Sequence, residues 1–200
     1  MTATATTFVL ATANPHKAEE MRAVLSECGI ELLSRPVEVA EVEESESTLE
    51  GNALLKARAL AEATGLAAIA DDTGLFVDAL DGRPGVYSAR YAGEGATYDE
   101  NVTKLLDELA DVPAPQRGAT FRTVIAVAYP SGESRCVEGV LVGRITTARH
   151  GDHGFGYDPV FEPAASEGRT LAEFSTVEKN TTSHRARALR ALVAALEASS

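Results

Sequence analysis

Four short segments of this 200-residue chain carry side chains able to do chemistry. The first is Asp71-Asp72-Thr73-Gly74, at the end of the apolar run Leu66 to Ala70. Two ionised carboxylates in such a place repel each other and lose solvation. A divalent cation would relieve both penalties. Mg2+ suits the place, because it takes one or two carboxylates and completes its shell with phosphate oxygens and water. The same residues also suit an Asp-rich turn in which Asp72 bonds its own backbone. The second segment is Thr12-Ala13-Asn14-Pro15-His16-Lys17, between an apolar run and a helical pattern. A helix N-terminus presents N–H groups and a partial positive charge that attract a phosphate. Lys17, one turn in, could reach the same anion; on spacing alone an ordinary Asn cap with an exposed lysine is the commoner reading.

The third segment is Gly154-Phe155-Gly156-Tyr157-Asp158-Pro159. Its glycines allow close backbone approach, its two aromatics could flank a planar group, and Asp158 could accept hydrogen bonds from a base edge. The other reading is a tight turn whose aromatics plug the core. The fourth is Glu178-Lys179-Asn180-Thr181-Thr182-Ser183-His184-Arg185. His184 and Arg185 fall in the first turn of the last helix, where cations oppose the helix dipole. An anionic or carbonyl-bearing ligand would remove that conflict; so would water.

The surrounding pattern predicts the elements that must position these groups. Residues 7–12 read as a buried strand. Asn14 as cap and Pro15 at the first position start a helix from about 15 to 28, burying Met21, Val24, Leu25 and Cys28. Residues 30–34 form a second short strand. The glutamates of 38–50 (Glu38, Glu41, Glu43, Glu44, Glu46, Glu50) read mostly as a solvated acidic loop. Ser47 to Glu50 is a capping box before a helix that ends at Thr64, stopped by Gly65. Strands follow at 66–70 and 75–80, then an irregular stretch at 81–96. A second capping box, Thr97 to Glu100, starts a helix burying Val102, Leu105, Leu106 and Leu109. Two β-rich runs, 119–129 and 134–147, flank the hairpin signal Pro130-Ser131-Gly132-Glu133. A special loop covers 150–163, a short helix 170–178, and Ser183 caps a last helix to about Ala198. Strands alternating with helices, plus one long hairpin, predict an α/β fold on a mixed sheet within one domain, residues 1–200.

Composition narrows the partners. The chain has 30 acidic and 18 basic residues, a net charge of −12, which disfavours nucleic acid. No apolar run approaches the roughly 18 residues that span a membrane, and the N-terminus lacks a signal-peptide pattern. Two distant cysteines, Cys28 and Cys136, build neither a disulfide framework nor a zinc site, so a reducing cytoplasm is expected.

Taken together, the segments resemble one family, the inosine triphosphate pyrophosphatases, also described as non-canonical purine nucleoside triphosphate pyrophosphatases. The matching order is T-x-N-x-x-K at 12–17, E-x-x-x-T-L-E-x-N-A-x-x-K-A at 44–57, A-D-D-T-G-L at 70–75 and P-G-V-Y-S-A-R-Y-A-G at 84–93. It closes with G-F-G-Y-D-P-V-F at 154–161 and E-K-N-x-x-S-H-R-A at 178–186. The resemblance implies a two-lobed α/β fold with an elongated mixed sheet flanked by helices, a cleft between the lobes, and a homodimer. It implies Mg2+-dependent hydrolysis of inosine, deoxyinosine or xanthosine triphosphate to the monophosphate and pyrophosphate, cleansing the nucleotide pool. By the same resemblance, Thr12, Ala13, Asn14, Pro15, His16 and Lys17 bind phosphate. Glu44 and Asp72 hold the metal, Asp72 also being the proton acceptor. Thr73, Phe155, Gly156, Tyr157, Asp158, Lys179, His184 and Arg185 contact the nucleotide. Two departures stand out. Thr73 replaces a serine and keeps the hydroxyl. Gly51 stands where glutamate is frequent and weakens its helix by roughly 1 kcal/mol.

These implied contacts carry an expectation about the base. Inosine and xanthosine present a 6-carbonyl, an acceptor that calls for donors. Arg185 offers a rigid fork, Lys179 a charged donor, and His184 either ring nitrogen. The adenine amino group would leave buried donors unmatched at about 1–3 kcal/mol each, so rejection on the order of 10²-fold is expected. Guanosine must be refused at its 2-amino group, and Phe155 and Tyr157 are expected to cover the base face. Two other readings are a pyrophosphatase of modified pyrimidine triphosphates and a non-catalytic nucleotide sensor; the latter fits poorly with the acidic pair.

Overall fold

The computed structural model describes residues 6–40 and 42–198. Glu41, counted above in the acidic loop, lies outside the described residues. The apolar run near the N-terminus is β1 (Thr6–Leu10), and Pro15–Ser26 is α1, capped by Asn14. Then come β2 (Ile30–Leu33), α2 (Leu49–Thr64), β3 (Ala68–Val77) and the short β4 (Pro84–Gly85). The chain continues with α3 (Tyr98–Glu108), β5 (Gly118–Ala128), β6 (Ser134–Ile145) and β7 (Phe161–Pro163). It ends in α4 (Thr176–Thr182) and α5 (His184–Glu197).

The strands form one mixed sheet in the order β2-β1-β3-β5-β6-β7, with β4 paired to β3. β1 lies parallel to both β2 and β3, while β4 on β3 and β7 on β6 are antiparallel. Two compact units share this chain. Unit 1 comprises Met1–Asp72, Thr123–Gly139 and Arg185–Ser200, and unit 2 comprises Thr73–Arg122 and Val140–His184. The unit 1 core packs Phe8, Leu10, Met21, Leu25, Ile69, Ile125, Leu189 and Leu192. The unit 2 core packs Leu75, Leu105, Leu109, Phe121, Leu141, Phe161 and Leu171. Among the described residues no helix is long and apolar enough to cross a membrane.

The predicted strands and helices are largely present, and the differences have local causes. The runs expected at 66–70 and 75–80 are one unbroken strand ending at Val77, with a 3-10 turn at Asp78–Leu80. Asp71-Asp72 therefore sit in mid-strand, not in a turn. Neighbouring strand residues point to opposite faces, so extension separates the two carboxylates where a turn would crowd them. The N-cap of α2 is Thr48, not Ser47; its Oγ1 accepts from Gly51 N at 3.0 Å. Gly51 has a steric role there, because a Cβ would stand 2.8 Å from Glu46 Cβ. Cys28 is exposed, because α1 ends at Ser26 and the chain turns at Gly29, φ 71°. The loop at 150–163 closes with a strand, β7, that the sequence did not signal. The segment 170–178 divides into a 3-10 turn and α4, because Ser175 starts a second capping box with Glu178.

Candidate active site

Unit 1 gathers the charged residues around the middle of β3. Asp71 is buried, and one of its oxygens, Oδ2, faces two cationic groups. Lys17 Nζ is 3.1 Å away. Arg185 donates to it from Nη2 at 3.0 Å and from Nε at 3.2 Å. The same guanidinium donates from Nη1 to Glu20 Oε2 at 2.5 Å. Burial alone would push the Asp71 carboxyl up; the Lys17 ammonium and then Arg185 and Lys56 overcome it and hold the carboxyl well below the usual carboxylate range. Arg185 answers in kind: burial works against its charge, and Asp71 and Glu20 more than restore it.

Asp72 meets a different set, from α2, as strand alternation requires. Its Oδ1 lies 3.3 Å from Lys56 Nζ, and its Oδ2 accepts from Asn52 Nδ2 at 3.3 Å. Lys56 Nζ also lies 2.5 Å from Glu44 Oε1. Asn52 in turn accepts from Glu46 N at 3.0 Å, which ties the acidic segment to α2. Burial pushes the Asp72 carboxyl up, with Glu44 and Asp71 adding to the rise and Lys56 and Lys17 opposing it. Lys56 stays charged: burial would lower its pKa, and Asp72, Asp71 and Glu44 raise it. The two adjacent carboxyls are thus driven apart, Asp71 held down by its cationic partners and Asp72 pushed up by burial.

The predicted metal residues Glu44 and Asp72 do converge, on the single ammonium of Lys56. Among the described residues no three His, Cys, Asp or Glu side chains cluster as a closed metal site. At the predicted phosphate segment, Asn14 Oδ1 accepts from His16 N at 3.0 Å and Lys17 N at 3.3 Å, and Asn14 N donates to Thr12 Oγ1. The cap is therefore real, but Lys17 is no solvated lysine. Ala13, Pro15 and His16 are exposed and Thr12 is half-buried.

Unit 2 holds the aromatic loop. Asp158 is buried, and its Oδ2 accepts from Phe155 N at 2.9 Å and from Lys179 Nζ at 2.5 Å. Its carboxylate therefore clamps the loop and the lysine, where a base edge was the expected partner. The clamp requires glycine at 154, where a Cβ would fall 2.1 Å from Asp158 Oδ2. Tyr157 is buried and donates its hydroxyl to Ser88 O at 2.9 Å. It plugs the core, and burial pushes the phenol up. Phe155 is half-buried, and Lys179 Nζ lies 4.6 Å from its ring centroid. His184 is buried and stacks on Phe121, centroids 4.4 Å apart and planes at 17°. Thr73 and Gly156 are half-buried. The dipole conflict foreseen at 184–185 is partly relieved from within, by Asp71 and Glu20 on Arg185.

Glu20, Asn52, Lys56 and Phe121 were missed as site residues. The signal for two of them was present: Asn52 and Lys56 are polar residues four apart, beside the apolar stripe of Ala53, Ala57 and Leu60.

Comparisons with known proteins bear on the family. The profile of the Ham1 family matches residues 8–195. A dITP/XTP pyrophosphatase of Nitratidesulfovibrio vulgaris is 50% identical over 198 residues, covering 95% of each chain. Another of that name from Streptomyces coelicolor is 47% identical over 192 residues, 94% of this chain and 96% of the relative. A solved HAM1 protein from Coxiella burnetii superposes with a TM-score of 0.86 at 40% identity, covering 96% of this chain and 98% of its own. With the ordered motifs, the mixed sheet and nearly full-length similarity in agreement, the chain belongs to the Ham1 family.

Proposed function

We infer that this chain is a nucleoside triphosphate pyrophosphohydrolase. It takes inosine, deoxyinosine and xanthosine triphosphates to the monophosphate and pyrophosphate, and the whole chain serves as one such domain. The observation that carries the reading is the divided carboxylate pair, Asp71 held ionised by Lys17 and Arg185, Asp72 raised beside Lys56 and Glu44. The names of the relatives, dITP/XTP pyrophosphatase, support the substrate class.

Asp72 takes the proton of the attacking water. The water oxygen bonds the α-phosphorus as the α–β bridging bond breaks, and pyrophosphate leaves with the electron pair. Phosphoryl chemistry of this kind needs positioning and charge neutralisation above all. Lys17 supplies charge from the start of α1, and Lys56 from α2. Asp71 orients Lys17 and Arg185 and keeps its own charge throughout. Glu44 and Asp72 fit Mg2+, being hard-oxygen donors that already converge on one cationic centre, and their number matches its habit of sharing its shell with phosphate and water. When bound there, the ion supplies positive charge to the phosphate oxygens.

In unit 2, Phe155 covers the base face, and Lys179 and His184 serve the 6-carbonyl. Arg185, within unit 1, is a guanidinium whose plane Asp71 and Glu20 fix. Tyr157 and Asp158 support the loop. The enzyme works in the cytoplasm as a homodimer. A pyrophosphate-release assay tests the reading across inosine, deoxyinosine, xanthosine, adenosine, guanosine and modified pyrimidine triphosphates, with Mg2+ and with chelator. The first three should exceed ATP and GTP in kcat/KM on the order of 10²-fold, and chelator should stop all turnover. Equal constants for ATP and inosine triphosphate would refute the base reading, and a pyrimidine preference the substrate class.

A further inference from the structure

The first turn of α3 touches both ends of the loop that carries Phe155. Tyr98, the first residue of α3, packs its ring on that of Phe155, with centroids 5.8 Å apart and planes at 43°. Its neighbour Asp99 meets Arg149, Oδ1 to Nη2 at 3.0 Å. Arg149 Nη2 also donates to Thr103 Oγ1 at 2.7 Å and to the Asp99 carbonyl at 3.2 Å. The turn itself is stiff, because Thr97 and Glu100 form a reciprocal capping box. Between Arg149 and Phe155 the chain is exposed and passes through Gly151 and Gly154, at φ 77° and 75°. Further ties run through its backbone: Thr170 Oγ1 donates to His150 O, His150 N to Pro159 O, His153 N to Ala172 O, and Phe155 N to Asp158 Oδ2. Tyr98 is 40% exposed. A tyrosine at that place does little for the core, and the first position of a helix makes no demand for one.

The geometry points to Tyr98 as a positioning residue for base stacking: its ring holds Phe155 in the orientation that receives the purine face. This rests on the reading that Phe155 covers the base. A phenylalanine on a glycine-flanked loop loses rotamer and backbone freedom when a ligand fixes it. A ring already braced before binding loses less, and affinity rises accordingly. Lys179, over the Phe155 ring and clamped by Asp158, braces the ring from α4, and Tyr98 does so from α3. Tyr98 touches no reacting atom, so its effect falls on binding and not on the chemical step.

The test uses the full-length enzyme and its variants Tyr98→Ala, Tyr98→Phe, Phe155→Ala and the double Tyr98→Ala/Phe155→Ala. The readouts are kcat and KM for inosine triphosphate, and the inhibition constants of inosine monophosphate and inorganic pyrophosphate. Tyr98→Ala should raise KM and the monophosphate constant by about 3- to 10-fold, the range of an aromatic pair. It should leave kcat and the pyrophosphate constant unchanged. Tyr98→Phe should restore wild-type values, and in the Phe155→Ala background Tyr98→Ala should add nothing. If Phe155→Ala weakens the monophosphate and Tyr98→Ala does not, the positioning role is overturned and the stacking reading stands. If Phe155→Ala has no effect on the monophosphate, both fall. An equal loss of pyrophosphate affinity in Tyr98→Ala would mean general damage and would also overturn the role.

Discussion

Replacing Lys17 by alanine should damage both the fold and the site, because its ammonium answers a buried charge. Lys17 Nζ lies 3.1 Å from Asp71 Oδ2, and the Asp71 side chain has no exposure, against 18% for Lys17. At an effective dielectric near 20 the gross attraction at this range is about 5 kcal/mol. Most of it does not appear as stability. The variant no longer desolvates an ammonium, and Arg185 still neutralises Asp71 at 3.0 Å. A net loss of about 1–2 kcal/mol remains, below the 3–5 kcal/mol of a buried charge left wholly unpaired. For a chain of this length that lowers the melting temperature by about 2–8 °C. The pH dependence has a definite sign. The folded Asp71 carboxyl is depressed, so its contribution is complete above the unfolded value of about 3.9 and disappears as pH falls through the folded value. Removing Lys17 raises the folded value and shrinks that contribution. The gap in stability between wild type and variant should therefore be constant above about pH 4 and close below it. Urea melts from pH 7 down to about pH 2 measure the gap; one that is absent, or that stays constant to the acid end, would refute the electrostatic account. In the same variant kcat/KM for inosine triphosphate should fall by about 10- to 100-fold, the loss of one charge-assisted contact. A variant that melts early yet keeps its kcat/KM would leave Lys17 a structural residue only.

Asp72→Asn should reduce turnover at least about 10²-fold, as expected for removal of a positioned base, while inosine monophosphate still binds by calorimetry; near-normal turnover with saturating Mg2+ would remove Asp72 from the chemistry. Lys56→Met leaves Glu44 and Asp72 facing each other without their shared ammonium. Its melting temperature should fall without divalent ions and recover on adding Mg2+ more than wild type gains, and an equal response in both proteins would argue against a cation at that place. Tyr157→Phe removes the hydroxyl that donates to Ser88 O. It should lower stability by about 1 kcal/mol and leave KM unchanged; a large rise in KM without a stability change would return Tyr157 to the base.

Much of the backbone was legible in the residues alone, because its determinants are local. Asn14 followed by Pro15, the Thr97–Glu100 box and Gly65 at φ 66° mark helix ends within a turn of chain. Errors came where two local signals compete over a residue or two, as with Ser47 and Thr48 at the start of α2, or where a strand as short as β7 relies on its neighbour. The chemical vocabulary of the site was legible too, since an Asp pair, a lysine one turn into a helix and a glycine–aromatic loop are unusual as sequence. What each group faces was not. Asp71-Asp72 reads as a strand end or a turn, but the extended strand turns the two carboxyls to opposite faces, one toward Lys17 and Arg185, the other toward Lys56 and Asn52. Arg185 and Asp71 are 114 residues apart in the chain, and Tyr157 and Ser88 are 69 apart. Spacing within a segment encodes period and caps. The partner of a buried charge or hydroxyl is chosen by which distant elements the sheet brings together, and in a low-dielectric interior that choice decides which carboxyl is held down and which is pushed up.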